Sequence, residues 1–338
     1  MSSSAPEPAN DQYGVYLRSF LAPLTGMLAR ADVTDIYVNR PGEIWAETLG
    51  GAIERHDAPA LDPPTLDRLS RQIAAIAHQG ISREHPLLSA SLPDGARVQI
   101  VAPPATRGPM AIAIRKHVSP DLSLSDYVSA GAFDETKRAD GSERAAEDRK
   151  LAALLDAGDI SGLLSRAVKA RRNILVAGGT STGKTTFLNA LLREIPAEER
   201  LILIEDTPEL HLSHANAVGL IAARSALGEA QVSANDLLSA SLRMRPDRII
   251  LGELRGPEAF AFLRAVNTGH PGSMTSVHAD STDGAIEQIV LLALQAGTQL
   301  SRADIRHYVT STIDLIVHLT RTGGRRRVAQ VQLRPAGG

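Results

Sequence analysis

Asn173-Ile174-Leu175-Val176-Ala177-Gly178-Gly179-Thr180-Ser181-Thr182-Gly183-Lys184-Thr185-Thr186 is the stretch of the 338-residue chain on which its fold turns. Residues 173–177 form the kind of apolar run found in strands buried on both faces. The next eight residues, 178–185, satisfy the G-x-x-x-x-G-K-[ST] pattern, and a helix is expected from about Thr185. Glycines let successive backbone N–H groups curl into an anion nest, and the helix N-terminus adds partial positive charge. Gly178, Gly179, Thr180, Ser181, Thr182, Gly183, Lys184, Thr185 and Thr186 are therefore the expected phosphate-binding residues for a nucleotide such as ATP. Within them Lys184 would neutralise β/γ oxygens and Thr185 would ligate Mg²⁺.

Downstream, strand-like runs recur at residues 201–204, 248–251 and 274–278, with helical segments between them. Alternation of that kind signals an α/β domain with a mainly parallel sheet. The helices carry their own punctuation: Ser233 and Asp236 have capping-box spacing, Pro257 suits a first turn, and Gly297 follows residues 286–295. Residues 315–320 and 326–333 flank Gly323-Gly324 as a closing hairpin. Upstream, residues 15–28 have helical apolar spacing, and short alternating runs at 35–38, 43–47, 87–92, 97–102 and 110–117 surround a second helix over 64–78. No helix alternates regularly with those strands, which makes this a smaller α+β unit ending near residue 118. Between residues 134 and 150 mixed charges dominate and large apolar side chains are nearly absent, the composition of a linker or exposed insertion. The expected organisation is a lead-in over 1–11, an N-terminal α+β domain over 12–118, a charged linker over 119–150 and the α/β domain over 151–338.

Composition narrows the function. Thirty-six basic against 38 acidic residues give a formal charge of −2, which argues against attachment to nucleic acid through bulk charge. The absence of cysteine excludes disulfide scaffolds, thiolate zinc sites and cysteine nucleophiles, and favours a reducing compartment. No apolar run approaches the ~18–20 residues that span a bilayer, and residues 1–11 lack the basic start and apolar core of a secretory signal.

Ligands of a wound sheet sit at the carboxyl ends of its strands. There the sequence places Glu205-Asp206, with Glu209 just beyond, then Glu253, then His278, while His270 precedes its strand. Nucleoside triphosphate hydrolysis needs a carboxylate to position or deprotonate water and oxygen ligands for Mg²⁺. Each acid alone reads better as a cap or a solvated loop residue; at successive strand ends beside a phosphate loop they read together as a site. The histidines lack the neighbouring acids of a zinc centre and fit a phosphate sensor better. Arg243, Arg245 and Arg255 flank the Glu253 strand as candidate partners of a nucleotide or of a subunit boundary.

These residues resemble a family, the secretion ATPases, whose members include the motors of type II secretion, type IV pili and type IV secretion. The likeness covers essentially the whole chain after the lead-in. It rests on four boxes in order: the Walker A loop; Ile204-Glu205-Asp206-Thr207-Pro208-Glu209-Leu210; the Walker B stretch from Leu242 to Gly256, with Leu251-Gly252-Glu253-Leu254-Arg255; and Thr268-Gly269-His270-Pro271-Gly272, which continues to His278-Ala279. Asn39-Arg40-Pro41-Gly42-Glu43-Ile44-Trp45 is most similar to the Vir-type ATPases of type IV secretion. The four-cysteine zinc module of the pilus and type II motors is absent. The loop reads Thr180-Ser181-Thr182 in place of the frequent Thr-Gly-Ser, and Gly252-Glu253 stands where many P-loop enzymes carry aspartate; neither removes a phosphate-binding group.

The resemblance implies a RecA-like C-terminal tier, a homo-hexameric ring, and nucleotide held between the two domains of one subunit. It implies Glu253 as the catalytic carboxylate, Glu205, Asp206 or Glu209 at the Mg²⁺ site or polarising water, and Arg97 and Arg115 on the γ-phosphate. It also implies work at the cytoplasmic face of a bacterial inner membrane, beside other ATPases and inner-membrane components of a type IV secretion channel, with peripheral attachment through protein partners. A pilus-retraction motor and a nucleotide-gated scaffold are the alternatives. A nucleic-acid translocase has only the basic runs at 169–172 and 325–327, which lack aromatic partners for stacking, so no stable nucleic-acid binding is expected.

Overall fold

The computed structural model describes residues 14–117, 123–136, 142–223 and 228–334. The lead-in expected over 1–11 lies outside the described residues, as do 119–122 and 137–141 of the expected linker.

The N-terminal half runs α1 (Val15–Leu21), a 3-10 turn, α2 (Thr25–Ala29), β1 (Val33–Val38), β2 (Gly42–Thr48), β3 (Ile53–Ala58), α3 (Pro63–Ile76), β4 (Leu87–Ser91), β5 (Arg97–Val101) and β6 (Ala111–Arg115). Its six strands form one sheet in the order β3-β2-β1-β6-β5-β4, and every pairing is antiparallel. Helix α3 starts where Asp62 accepts the Thr65 N–H at 2.8 Å and Pro63 sets the first turn. Its buried stripe, Leu66, Leu69 and Ile73, joins Leu17 and Leu21 of α1 over Ile36, Ile112 and Ile114 of the sheet. Strand β3 escapes the sequence pattern because Ile-Glu-Arg-His-Asp-Ala is an edge strand with only Ala58 buried.

The remainder comprises α4 (Leu124–Ser129), α5 (Ser142–Asp156), α6 (Ile160–Lys169), β7 (Ile174–Gly178), α7 (Lys184–Leu192), β8 (Leu201–Glu205), β9 (Ala217–Ile221), α8 (Ala234–Ser241), β10 (Arg248–Leu251), α9 (Glu258–Asn267), β11 (Met274–Val277), α10 (Thr282–Leu294), α11 (Arg302–Thr312), β12 (Leu315–Thr322) and β13 (Arg325–Leu333). The seven strands are ordered β13-β12-β7-β11-β10-β8-β9, parallel throughout except for the β12–β13 hairpin. The central strands β7, β8, β10 and β11 are buried at every position, which is what their unbroken apolar runs require.

The stretch expected as a linker departs from expectation. Residues 142–150 belong to α5, which is docked on the C-terminal sheet layer: Leu151 enters the core, Arg172 Nη2 meets Asp148 at 2.6 Å, and Arg166 Nε meets Glu147 at 2.6 Å. Charge–charge pairing holds a helix whose composition shows no apolar stripe. The basic run at 169–172 is consumed in the same network, Lys169 lying 3.7 Å from Glu194 and Arg171 3.2 Å from Glu199.

Between the halves lies Arg200, fully buried, with its guanidinium 3.9 Å from the centre of the Tyr37 ring. It donates to Asn39 Oδ1 at 2.8 Å and to the Met244 carbonyl at 2.9 Å. Burial pushes its pKa down to about 10, so it stays charged at neutral pH. Arg245 crosses the same seam to Glu47 at 2.7 Å. The edge of β9, a strand the sequence pattern did not mark, is covered by the 102–110 loop: Arg107 N–H donates to Gly219 O and Ile221 N–H to Ala105 O, both at 2.9 Å.

Arg248, with no exposed surface, is paired to Glu199 through two contacts of 2.6 and 2.7 Å and donates to the Val168 carbonyl. Removing one member of such a pair strands a charge in the interior. Glu199→Ala is expected to lower unfolding free energy by about 3–5 kcal/mol, read from urea denaturation; a loss below about 1 kcal/mol would show that Arg248 does not depend on this partner.

Candidate active site

A cleft of about 440 Å³ opens at the carboxyl ends of β7, β8, β10 and β11. The phosphate loop forms its floor. Ser181 and Gly183 have φ of +61° and +95°, so the backbone reverses twice within three residues, and α7 begins immediately at Lys184. A left-handed serine costs about 1–2 kcal/mol, a cost retained where the backbone must wrap an anion. Gly178 is sterically required: a Cβ there would lie 2.5 Å from Thr182 Oγ1 and 2.9 Å from the Leu319 carbonyl. Thr182 in turn donates to the Gly179 carbonyl at 2.9 Å and braces the turn. All of residues 179–186 line the cleft.

Over this floor sits a chain of alternating charge. Lys184 Nζ is 3.2 Å from Glu253 Oε1, and His278 Nε2 is 3.0 Å from the same oxygen. Arg255 Nε lies 2.5 Å from Glu253 Oε2 and Arg255 Nη1 3.0 Å from Asp206 Oδ2. Burial pushes the Glu253 carboxyl up, but Arg255, Lys184 and His278 outweigh it and hold the group below its ordinary range. Glu253 is therefore an ionised carboxylate fixed by three cationic or hydrogen-bonding neighbours, one glycine past the end of β10. Gly252 has its own reason, since a Cβ there would lie 3.0 Å from Glu205 Cγ.

This geometry sits in a chain with close relatives. It matches the family described as "Type II/IV secretion system protein" over residues 20–334. The chain belongs to that family. It is 37% identical to the type IV secretion system protein VirB11 of Bartonella quintana, over 99% of this chain and 97% of the relative. Against VirB11 of Brucella suis the identity is 40%, over 98% and 93%. The crystal structure of the Brucella suis VirB11 ATPase, solved with sulphate, superposes with a TM-score of 0.89 at 39% identity, covering 95% of each chain. The protein is thus an ATPase of type IV secretion with the two-part α/β architecture of these relatives, and pilus retraction is not favoured.

Several residues of this secretion ATPase stand where the sequence did not put them. Glu205 borders the cleft, yet Oε1 accepts the N–H groups of Glu209 and Leu210 at 2.9 and 2.8 Å and Oε2 is ion-paired with Arg107. Its carboxylate clamps the acidic loop and is not free as a metal ligand; Asp206 and Glu209 are the other acids of that loop that line the cleft. His270 belongs to the turn that precedes β11, at the opposite end of that strand from His278, and its Nδ1–H donates to the Pro246 carbonyl at 2.9 Å. Burial pushes its pKa down, which fits a neutral structural imidazole and not a phosphate sensor. Arg97 and Arg115 are register partners on β5 and β6; Arg115 binds Asp35 at 2.9 Å, and neither lines the cleft. None of the lining residues comes from the N-terminal half, so within one chain the cleft is not formed between the two domains.

Two residues were missed. Arg326, part of a basic run that carried no specific motif, lines the cleft from β13. Arg107 crosses from the N-terminal half, donates to the Leu210 carbonyl at 2.6 Å and reaches Glu205 over Gly219, where any Cβ would collide with its side chain. No spacing rule joins positions 107 and 205. Arg107→Ala is expected to free the 205–210 loop: amide exchange at Glu209 and Leu210 should accelerate about tenfold or more while exchange in α11 stays unchanged. Unchanged exchange at those two amides would show that Arg107 does not hold the loop.

Proposed function

We propose that the chain hydrolyses Mg²⁺-ATP as a subunit of a homo-hexameric ring that drives assembly of, or export through, a type IV secretion channel. The observation that carries this is the placement of the ionised Glu253 carboxylate, 3.2 Å from the phosphate-loop lysine. The phosphates are held by the N–H groups of residues 179–185 and by Lys184, which exchanges Glu253 for β/γ oxygens. Glu253 then orients a water on the γ-phosphorus and takes its proton as the water oxygen bonds and the β–γ bridge breaks. His278 holds Glu253 Oε1 in place, and Arg255 holds Oε2 while tying the carboxylate to Asp206.

The donor set fits Mg²⁺, which usually takes one hydroxyl, one or two carboxylates, waters and substrate oxygens. Thr185 and Asp206 would hold it here, with Glu209 next in line, and it would neutralise charge on the β- and γ-oxygens.

Arg97 and Arg115 stand clear of their own chain's cleft, and in a ring they would act on a neighbouring subunit's γ-phosphate. Among the described residues no helix is long and apolar enough to cross a membrane. Attachment at the cytoplasmic face of an inner membrane would then run through channel proteins and other ATPases of the machine.

Purified protein and Glu253→Gln decide the chemistry. The variant is expected to bind ATP within about twofold of wild type and to turn over about 10²–10⁴-fold more slowly; equal turnover would remove Glu253 from its role. The pH profile gives a second check. Because the pKa of Glu253 is depressed below 4.5, the group stays ionised down to that pH, and any loss of kcat it causes should appear only below it. An acid limb near pH 6 that disappears in Glu253→Gln would contradict this assignment.

A further inference from the structure

The acidic loop after β8 is gripped along both of its edges. The Leu210 side chain is buried in the same core cluster as Leu188 and Leu192 of α7. On one edge of the chain the Leu210 N–H goes to Glu205 Oε1 at 2.8 Å and its carbonyl accepts from Arg107 Nη1 at 2.6 Å. The opposite edge presents the Glu209 carbonyl and the His211 N–H, and one side chain takes both. Asn189 Nδ2 donates to the Glu209 carbonyl at 3.1 Å, and Asn189 Oδ1 accepts the His211 N–H at 2.7 Å. A carboxamide carries a donor and an acceptor side by side, which matches a carbonyl and an N–H two residues apart on one edge of an extended chain.

Asn189 belongs to α7, four residues after Thr185. Side chains four apart lie on one face of a helix, one turn from each other. The face of α7 that carries the Thr185 hydroxyl therefore also holds the backbone of Glu209, and Thr185, Asp206 and Glu209 all line the phosphate cleft. Sheet order makes that grip matter. The hydroxyl arrives with the phosphate loop after β7 and the carboxylates arrive after β8, yet β11 and β10 stand between those two strands. No shared ladder sets the distance from the hydroxyl to the acids. Of the three side chains that hold the loop backbone, Glu205 comes from the same strand as the loop and Arg107 from the N-terminal half; Asn189 alone comes from the phosphate-loop helix. A small divalent cation with strict octahedral demands is sensitive to such spacing.

We propose that Asn189 is a positioning residue: its amide fixes the loop that carries Asp206 and Glu209 against the Thr185 hydroxyl, and so sets the spacing of the divalent-metal site. The proposal rests on the reading of Thr185 and these acids as the Mg²⁺ side of the nucleotide. Its test uses the full chain, wild type against Asn189→Ala. Asn189 is half-buried, and alanine is the strongest helix former, so α7 keeps its shape in the variant. Two quantities are measured: binding of the non-hydrolysable analogue AMP-PNP in EDTA, and uptake of Mn²⁺ by the protein–AMP-PNP complex, read from loss of the free-ion EPR signal. The variant is expected to bind AMP-PNP in EDTA within about twofold of wild type, since the phosphate loop is untouched, and to hold Mn²⁺ about tenfold less tightly. Mn²⁺ affinity equal to that of wild type would overturn the proposal. Losses of equal size in the two measurements would also overturn it, because they would make Asn189 a general brace of the fold. Wild type that takes up Mn²⁺ no more tightly than free AMP-PNP does would overturn the metal-site reading itself, a result distinct from the other two.

Discussion

A charge that cannot leave the interior fixes where the two halves of this protein meet. Arg200 is fully buried, yet its side chain is held by neutral groups, the Asn39, Asn216 and Met244 oxygens and the Tyr37 ring, and among the described residues it makes no ion pair. Removing those neutral acceptors would leave an unsolvated cation, which costs several kcal/mol. Each partner is therefore constrained in position: Asn39 by the β1–β2 turn, Tyr37 by its hydrogen bond to Glu47, Asn216 by its bond to Asn39. The seam follows from that constraint, and with it the reach of Arg107 to the acidic loop.

The site inherits its order from the seam and from the sheet together. Parallel strands deliver Glu253, Asp206 and His278 to one rim, and the phosphate loop fixes Lys184 beneath them. One side chain ties this rim to the N-terminal half: Arg107 holds Glu205, whose backbone neighbour Asp206 touches Arg255, which touches Glu253. A displacement of the N-terminal half would pass along that chain of contacts to the carboxylate at the reacting end. The contacts from Arg107 to Glu253 run through five side chains.

Much of this was legible in the sequence, for physical reasons. Central strands are uniformly apolar and the phosphate loop has obligatory glycines, so β7, β8, β10, β11 and the floor of the cleft could be placed from residue type alone. The capping box of α8 was equally readable, because Ser233 and Asp236 satisfy each other locally. What failed to show was non-local. Strand β3 is an edge with only Ala58 buried, β9 is an edge whose outer side is covered by the distant 105–107 segment, and α5 is a helix held by ion pairs to Arg166, Arg172 and Asp314 and not by a stripe of its own. In the site, Glu205 and His270 were placed by residue type and box membership, but whether an acid faces substrate or clamps a loop depends on what crosses from the other domain. Arg107 and Arg326 carry no motif at all, and only the folded chain gives them neighbours.

The loop over β9 carries one more consequence. Two backbone hydrogen bonds between residues 105–107 and 219–221 cover the β9 edge of the seven-stranded sheet. An ATP-driven cycle that swung the N-terminal half away as a rigid body would uncover a row of unpaired amide groups on that ladder, a template on which any extended peptide could add. Residues 105–107 thus shield that edge as well as carrying Arg107 to the acidic loop, and one short segment serves both the sheet and the site.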